Sequence, residues 1–182
     1  MRIAEADILI IPGLGGSGTG HWQVRWAEKM STAAIVEQAD WDDPDPEDWA
    51  DTIVQAVELA ERPVILVAHS LGCLAVARAA SRLVDGKVRG ALLVAPPDLE
   101  RSDMPDEVLD FLPVPRDPLP FPSLLVASSS DPYCLLERAA DLATTWGSDF
   151  HHAGEAGHIN VASGHGPWPE GLLMFTRLMQ RL

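Results

Sequence analysis

The chain has 182 residues, a length that fits one globular domain, so we expect residues 1–182 to form a single domain. Apolar residues make up 47% of the sequence and charged residues 22%, which suffices for one continuous core and excludes disorder over most of the chain. Thirteen basic and 27 acidic side chains give a formal charge of -14, which disfavours nucleic acids and anionic membranes as partners.

No apolar run approaches the roughly 20 residues that span a bilayer, and the first residues lack the apolar centre of a signal peptide. We therefore expect a cytoplasmic protein. The two cysteines, Cys73 and Cys134, are too few for a disulfide framework and have no companions at the spacing of zinc ligands. We expect both to be reduced and buried.

Short runs rich in β-branched residues alternate with longer segments of helical period, which is typical of a parallel sheet covered by helices on both faces. The sequence predicts six strands, at 7–11, 34–37, 64–68, 90–95, 123–128 and 148–152. It predicts helices at 22–30, 46–61, 71–83, 132–146 and 169–181. Within the first helix, Trp22, Trp26 and Met30 share one face, which we expect to face the core. Asp45 and Pro46 are suited to begin the second helix.

The segment 95–122 holds more than half of the fifteen prolines of the chain. We expect it to be a stiff surface excursion with a short helix at 105–112, since ordinary strand and helix patterns resume after it. An acidic cluster lies between residues 40 and 51, but it lacks the glycine and the glutamate that an EF-hand calcium loop requires. The sequence therefore predicts no metal site.

A candidate nucleophile follows the third predicted strand. The strand runs into Ala68-His69-Ser70-Leu71-Gly72, and a helical segment comes next. A tight strand–turn–helix needs small residues two positions before and after the serine, and alanine and glycine meet that need, although the G-x-S-x-G pattern has glycine at both. A serine here is also a common helix N-cap, so the turn by itself fits a structural role. The functional interpretation is a nucleophile elbow, with helix N-terminal amides available to stabilise negative charge.

A serine nucleophile needs a neutral imidazole to accept its proton. His158 follows the last predicted strand in a glycine-flanked loop, at the edge where the carboxyl ends of parallel strands converge. His21, in the loop after the first strand, is the alternative base. The other four histidines lie beside the serine, on the last strand or farther along its loop.

The imidazole in turn needs a carboxylate to orient it. Asp131 follows the fifth strand, and it is also suited to cap a helix beginning at the next residue. Asp98, after the fourth strand, is the alternative acid. Two N–H groups must receive the oxyanion, and the sequence predicts the main-chain amides of Leu71 and Leu14 for this task.

The glycines after the first strand also match another motif. Gly13-x-Gly15-x-x-Gly18 follows a strand, and Glu37 ends the next one, as in a dinucleotide-binding fingerprint. A helix starting inside this run would be destabilised by about 1 kcal/mol for each glycine, so we expect it to begin near residues 21–22. A loop of that length is too long for a nucleotide cradle, and we expect no nicotinamide or flavin cofactor.

Together these motifs resemble those of the α/β-hydrolase fold and, more closely, of small serine hydrolases related to retinoblastoma-binding protein nine and the bacterial YdeN group. The motifs that carry the resemblance are Gly18-Thr19-Gly20-His21-Trp22-Gln23, Asp40-Trp41, Ala68-His69-Ser70-Leu71-Gly72, Ser129-Ser130-Asp131-Pro132-Tyr133 and Gly157-His158-Ile159-Asn160. The resemblance implies a minimal three-layer α/β/α sandwich, with a six-stranded, mainly parallel sheet ordered 2-1-3-4-5-6 and no lid domain. It also implies that Ser70, Asp131 and His158 form a catalytic triad.

The function predicted from these observations is a serine hydrolase acting on small carboxylic esters, or on amides or peptides, by acyl transfer to water without a metal or cofactor. We expect the segment 96–122 to form only a short flap beside an open, shallow site that suits small esters better than long lipid chains. The alternative, from a different class, is a binding protein on a hydrolase scaffold whose triad is idle. No partner other than a small-molecule substrate is predicted.

Overall fold

The computed structural model describes residues 1–182. Its strands are β1 (Asp7–Ile11), β2 (Ala33–Ile35), β3 (Val64–His69), β4 (Val88–Val94), β5 (Ser123–Ala127) and β6 (Asp149–His152). They form one sheet in the order β2-β1-β3-β4-β5-β6, and every neighbouring pair is parallel. The strand order implied by the resemblance is therefore confirmed.

Five α-helices connect or follow the strands: α1 (Trp22–Lys29), α2 (Pro46–Leu59), α3 (Leu71–Ala79), α4 (Leu136–Trp146) and α5 (Pro169–Arg181). Short 3₁₀ helices occupy Ile3–Glu5, Ala80–Arg82, Asp106–Phe111 and Val161–Ser163. None of these helices combines the length and the apolar character needed to cross a membrane.

The side chains of the central strands alternate between two cores, one on each face of the sheet. On one face, Leu66 lies in a core that includes Trp49 of α2 and residues of α3 and α4. On the other face, Ile65 lies in a second core that includes Trp22 of α1 and Phe175 of α5. The predicted three-layer α/β/α sandwich is confirmed, and the sheet places the carboxyl ends of all six strands along one edge.

Two local predictions hold in detail. The carboxylate of Asp45 accepts two main-chain N–H bonds in the first turn of α2, of which Pro46 is the first residue. In α1, Trp22 and Trp26 are buried, while Met30, one residue past the helix, is half-buried.

Several predicted boundaries are wrong. β2 ends at Ile35 rather than at residue 37. The N–H of Val36 still donates to the main-chain oxygen of Ile10, but the buried Gln38 bonds to α2 instead, where its Nε2 donates to the main-chain oxygen of Trp49 at 3.4 Å. β4 begins at residue 88 rather than 90. α3 ends at residue 79, and a 3₁₀ turn covers most of the remainder of the predicted segment 71–83.

The start of α4 differs most from its prediction. The helix begins at Leu136, four residues after the predicted start, and Leu135 is its N-cap. Residues 131–135 instead form a turn in which the N–H of Tyr133 donates to Asp131 Oδ1, at 2.9 Å. Asp131 therefore does not cap α4, and the turn holds its carboxylate at the carboxyl edge of the sheet.

The proline-rich segment 96–122 is anchored to the main body of the fold. Phe111 is fully buried, with its ring centroid 5.8 Å from that of Trp49. The indole N–H of Trp146 donates to the main-chain oxygen of Pro115, at 2.8 Å. The helix predicted at 105–112 is present as a 3₁₀ helix, and the segment forms a flap rather than a lid domain.

Candidate active site

The turn between β3 and α3 holds Ser70 in a strained backbone conformation, with φ 54° and ψ -128°. A non-glycine residue with such a φ is costly and persists only where the surrounding structure enforces it. Here the helix is pressed against the neighbouring strand: a Cβ on Gly72 would lie 2.5 Å from the main-chain oxygens of both Ile11 and Pro12. Ala68, at the departure from the G-x-S-x-G pattern, is completely buried, so its methyl group is accommodated. This is the geometry of a nucleophile elbow.

The loop after β1 passes directly over this elbow. A Cβ on Gly13 would lie 2.8 Å from the Cβ of Ser70 and 3.2 Å from the main-chain nitrogen of Leu71. Only glycine permits so close an approach, because any side chain would collide with the serine. The loop therefore brings its own main-chain groups beside the serine.

Ser70, His158 and Asp131 meet at the carboxyl edge of the sheet. The Nε2 atom of His158 lies 2.9 Å from Ser70 Oγ, and its Nδ1 atom lies 3.0 and 2.9 Å from the two carboxylate oxygens of Asp131. Because a carboxylate only accepts, Nδ1–H is the donor to Asp131, and in the neutral ring Nε2 accepts from the serine hydroxyl. The arrangement is that of a nucleophile, a base and an orienting acid.

Two serines connect the loop of the acid to the loop of the base. Ser128 Oγ accepts from the N–H of Ala156 at 2.8 Å, and Ser130 Oγ accepts from the N–H of Gly157 at 2.9 Å. These bonds fix the chain just before His158 relative to the chain just before Asp131. In the sequence, the only sign of this connection is the run Ser128-Ser129-Ser130 after a strand. The sequence does not show which groups these hydroxyls bind.

The main chain around His158 is held from the opposite side as well. His69 Nε2–H donates to the carbonyl of His158, and the indole N–H of Trp22 donates to the carbonyl of Ile159, both at 2.9 Å. Ile159 is fully buried with φ 48°, so the loop makes a strained turn directly after the imidazole. The supporting roles of His69 and Trp22 were not predicted from the sequence.

The alternative acid and the alternative base have other partners. Asp98 pairs with Arg138, whose Nε lies 3.3 Å from Oδ2, and it forms no hydrogen bond with an imidazole. His21 is the N-cap of α1, where its Nδ1 accepts from the N–H of Gln23 at 3.2 Å. The structure thus brings Asp131 and His158 to the serine in preference to Asp98 and His21.

The two predicted oxyanion donors border the same space as Ser70. Leu71 is the first residue of α3, where an N–H group has no acceptor within the helix. The N–H of Leu14 has no hydrogen-bond partner in the protein. Both residues line the cavity in front of the serine.

This cavity has a volume of about 250 Å³. One wall is largely apolar and belongs to the flap, and the other wall belongs to the β1 loop and the His158 loop. The flap contributes Pro97, Met104, Pro105 and Val108, and the other wall includes Leu14, His21 and Asn160. No lysine, arginine, aspartate or glutamate lines the cavity.

Burial controls the charge of the neighbouring titratable groups. It lowers the pKa of His21 to about 4 and the pKa of His69 well below its usual range, with a smaller effect from the charge of His158 on each. Burial also raises the pKa of the Cys73 thiol, and burial with nearby carboxylates raises that of Cys134 to about 12. Both cysteines are buried and unpaired, and neither forms a thiolate near neutral pH.

The glycine run after β1 does not open a helix. α1 begins at Trp22, as expected, and residues 12–21 lie between the strand and the helix. Glu37, which completes the dinucleotide-binding pattern in the sequence, lies past the end of β2 and is exposed. No group of three histidine, cysteine, aspartate or glutamate side chains is arranged to hold a metal ion.

Comparison with known proteins places this geometry in a family. The model of the family described as serine hydrolase matches residues 8–177. A crystal structure of a YdeN-like hydrolase from Pectobacterium atrosepticum is 32% identical, covers 97% of this chain and 92% of that one, and superposes with a TM-score of 0.85.

More distant relatives agree in fold. The structure of the ydeN gene product of Bacillus subtilis is 21% identical with a TM-score of 0.72, and the alignment covers 97% of this chain and 99% of that one. In sequence, the YdeN protein of strain 168, which is named as a hydrolase, is 34% identical over 93 residues, or 48% of each chain. This sequence match therefore spans about half the length of the curated relative.

The RedJ thioesterase of Streptomyces coelicolor is 18% identical with a TM-score of 0.64, over 96% of this chain and 91% of that one, which shows the fold alone.

The family model, by contrast, extends from β1 into α5 and so spans nearly the whole sheet and both helical layers. The chain belongs to the serine hydrolase family, in the YdeN group of the α/β-hydrolase superfamily.

Proposed function

We propose that this hydrolase cleaves small carboxylic esters by acyl transfer to water, through an acyl-enzyme on Ser70. The observation that carries the proposal is the position of the His158 ring. Its Nε2 atom lies 2.9 Å from Ser70 Oγ, and its Nδ1 atom lies 2.9 Å from Asp131 Oδ2. One neutral imidazole thus has a hydroxyl to deprotonate and a carboxylate to stabilise the charge that it acquires.

In the first half of the reaction, Ser70 Oγ bonds to the ester carbonyl carbon while His158 Nε2 takes the hydroxyl proton. The carbonyl oxygen becomes an oxyanion, and the main-chain N–H groups of Leu14 and Leu71 stabilise it by donating hydrogen bonds. The bond to the alcohol oxygen then breaks, and His158 returns the proton to the departing alcohol. The acyl group remains on the serine.

In the second half, a water molecule replaces the alcohol. His158 removes one water proton as the oxygen bonds to the acyl carbon, and the same N–H groups receive the second oxyanion. The bond to Ser70 Oγ breaks, the serine recovers its proton from His158, and the carboxylic acid leaves. Asp131 keeps the ring in one tautomer through both halves, and every proton is returned.

The size of the cavity favours small acyl groups. At about 30 Å³ for each water-sized group, a volume of about 250 Å³ holds on the order of eight non-hydrogen atoms. The flap residues close one side of this space, so a long chain would have to leave it. We therefore expect acetyl esters to be cleaved with a higher kcat/KM than palmitoyl esters of the same alcohol.

The proposal is tested with a fluorophosphonate probe, which reacts with an activated serine. We expect stoichiometric labelling of Ser70 in the native protein, and loss of both labelling and ester hydrolysis in the Ser70→Ala variant, with kcat reduced on the order of 10⁶-fold. Ser81→Ala, at an exposed serine after α3, is the matched control and retains labelling. An unlabelled native protein that hydrolyses no ester of a small panel would instead be a binding protein with an idle triad.

A further inference from the structure

His21 has one ring nitrogen engaged and one free. As the N-cap of α1, it uses Nδ1 to accept from the N–H of Gln23, so in the neutral ring the proton is on Nε2. Nε2 has no hydrogen-bond partner in the protein, although only 6% of the residue is exposed. The free N–H belongs to a residue that lines the cavity in front of Ser70.

Asn160 is arranged in the same way. Its Oδ1 accepts from the N–H of Ser163 at 3.1 Å and caps the 3₁₀ helix at Val161–Ser163, which fixes the orientation of the amide. The Nδ2 amino group is therefore the part of the amide that is left to donate, and it has no hydrogen-bond partner within the protein. Asn160 also lines the cavity.

Neither free donor is enclosed, and both residues line the cavity. The buried side-chain polar atoms that lack a partner are Gln38 Oε1 and Arg78 Nε, so neither His21 Nε2 nor Asn160 Nδ2 is sealed inside the protein. His21 and Asn160 also line a second, shallower groove, whose other walls are residues 18–20 and 161–162. The two side chains thus stand where the cavity continues into the groove.

This position is on the side of the base. His158 and Asn160 belong to one loop, and His158 must hand its proton to the departing group. His158 and Asn160 line the same cavity, so the departing group leaves within a space that Asn160 borders, while the apolar residues of the flap suit the acyl group. The groove gives the departing group a route to solvent.

We propose that His21 and Asn160 form a leaving-group subsite, in which their free N–H groups bind an oxygen acceptor in the alcohol portion of the ester. The inference rests on the proposed function and adds the substrate class: esters whose alcohol carries an ether, hydroxyl or carbonyl oxygen close to the scissile bond. Because burial lowers the pKa of His21 to about 4, its ring is a neutral donor at pH 7. Two neutral donors suit an uncharged oxygen.

Matched esters test the subsite. 2-Methoxyethyl acetate and butyl acetate have alcohol chains of the same length and differ by one oxygen in place of a methylene group. We expect the native protein to favour the methoxyethyl ester in kcat/KM by about tenfold, and each lost donor to lower this ratio by about threefold to tenfold. His21→Ser retains an N-cap oxygen and removes the ring N–H, and Asn160→Ser retains a capping oxygen and removes Nδ2.

The ratio of the two rates separates the subsite from general damage. A variant with a distorted active site loses rate on both esters alike and keeps the native ratio, and the intrinsic reactivity of each ester is the same for every variant. If both donors bind one oxygen, the effect of the double variant on the ratio is smaller than the product of the two single effects.

Each outcome decides the matter. A native ratio near one, or a ratio that neither substitution changes, overturns the subsite while the proposed hydrolase function stands. Absence of ester hydrolysis together with absence of fluorophosphonate labelling at Ser70 overturns the proposed function, and the subsite with it. Labelling at Ser70 without turnover of either ester overturns the subsite alone.

Discussion

The Nε2–H of His69 donates a 2.9 Å hydrogen bond to the main-chain carbonyl of His158, so the residue before the proposed nucleophile holds the backbone of the proposed base. His69 is almost fully buried, and burial lowers its pKa well below the usual range, which keeps the ring neutral. Since the carbonyl accepts, the one ring proton is on Nε2. The elbow and the histidine loop are therefore joined by a bond that changes little with pH near neutrality.

Removal of this bond should slow catalysis through the position of His158. His69→Phe keeps an aromatic ring but loses the donor, and a displaced base lowers kcat by up to about 100-fold. His69→Gln places an amide N–H near the position of Nε2 and should retain more of the native rate. Steady-state kinetics on a short-chain ester check this, and equal values of kcat in the two variants would contradict it.

The acid is tested by comparing two aspartates. Asp131→Asn leaves the shape of the side chain intact but stabilises the wrong tautomer of His158, so kcat should fall on the order of 10⁴-fold. Asp98→Asn weakens a pair with Arg138 away from the imidazole, and kcat should stay within about tenfold of native. The measurement is kcat for both variants under the same conditions. A larger loss in the Asp98 variant would reverse the assignment.

The elbow predicts a difference in stability between two glycine substitutions. Gly72→Ala would place a Cβ 2.5 Å from two main-chain oxygens, and we expect it to lower the free energy of unfolding by at least about 2 kcal/mol. Gly18→Ala meets no atom within 4 Å, so the free energy of unfolding should change by less than about 1 kcal/mol. Urea unfolding of both variants gives the comparison, and similar values would show that α3 does not press on the β1 loop.

The buried His21 should make the protein less stable in acid. Its pKa is lowered to about 4 in the folded chain, whereas an unfolded histidine titrates near 6.5. Between these values the unfolded chain binds a proton that the folded chain does not, so the free energy of unfolding falls as the pH is lowered through this window.

His21→Asn removes this titration. The variant should therefore lose about 3 kcal/mol less stability than the native protein between pH 7 and about pH 4. Urea unfolding at several pH values in this range measures the difference. Parallel curves for the two proteins would mean that His21 is protonated as easily in the folded chain as in the unfolded chain.

Local features of the chain were predictable because they depend on nearby residues. The strand 64–68 followed by Ala68-His69-Ser70-Leu71-Gly72 predicts an elbow from steric demands within a few positions, and the structure has it. Asp45 before Pro46 predicts a capped helix in the same way. The helix predicted to begin at residue 132 failed, because the turn at 131–135 is stabilised by contacts with distant parts of the chain.

The contacts that stabilise the turn at 131–135 join residues far apart in the chain, so a local sequence pattern does not reveal them. The N–H of Asp98 donates to the main-chain oxygen of Tyr133. The carboxylate of Asp131 accepts a hydrogen bond from Nδ1–H of His158, which lies 27 residues away in the chain. A proline after an aspartate predicts a helix start from local propensity alone. In this fold the tertiary contacts override that propensity.

The sequence alone determined the alternation of strands and helices, the elbow at Ser70 and the short list of histidines and aspartates from which a site is built, since periodicity and backbone sterics act over a few residues. Tertiary structure decided which members of that list meet. Ser70 and His158 are 88 residues apart in the chain and 2.9 Å apart in space, and Asp98 is excluded by its pair with Arg138. Such distances depend on the packing of the whole sheet, which brings the carboxyl ends of separate strands to one edge.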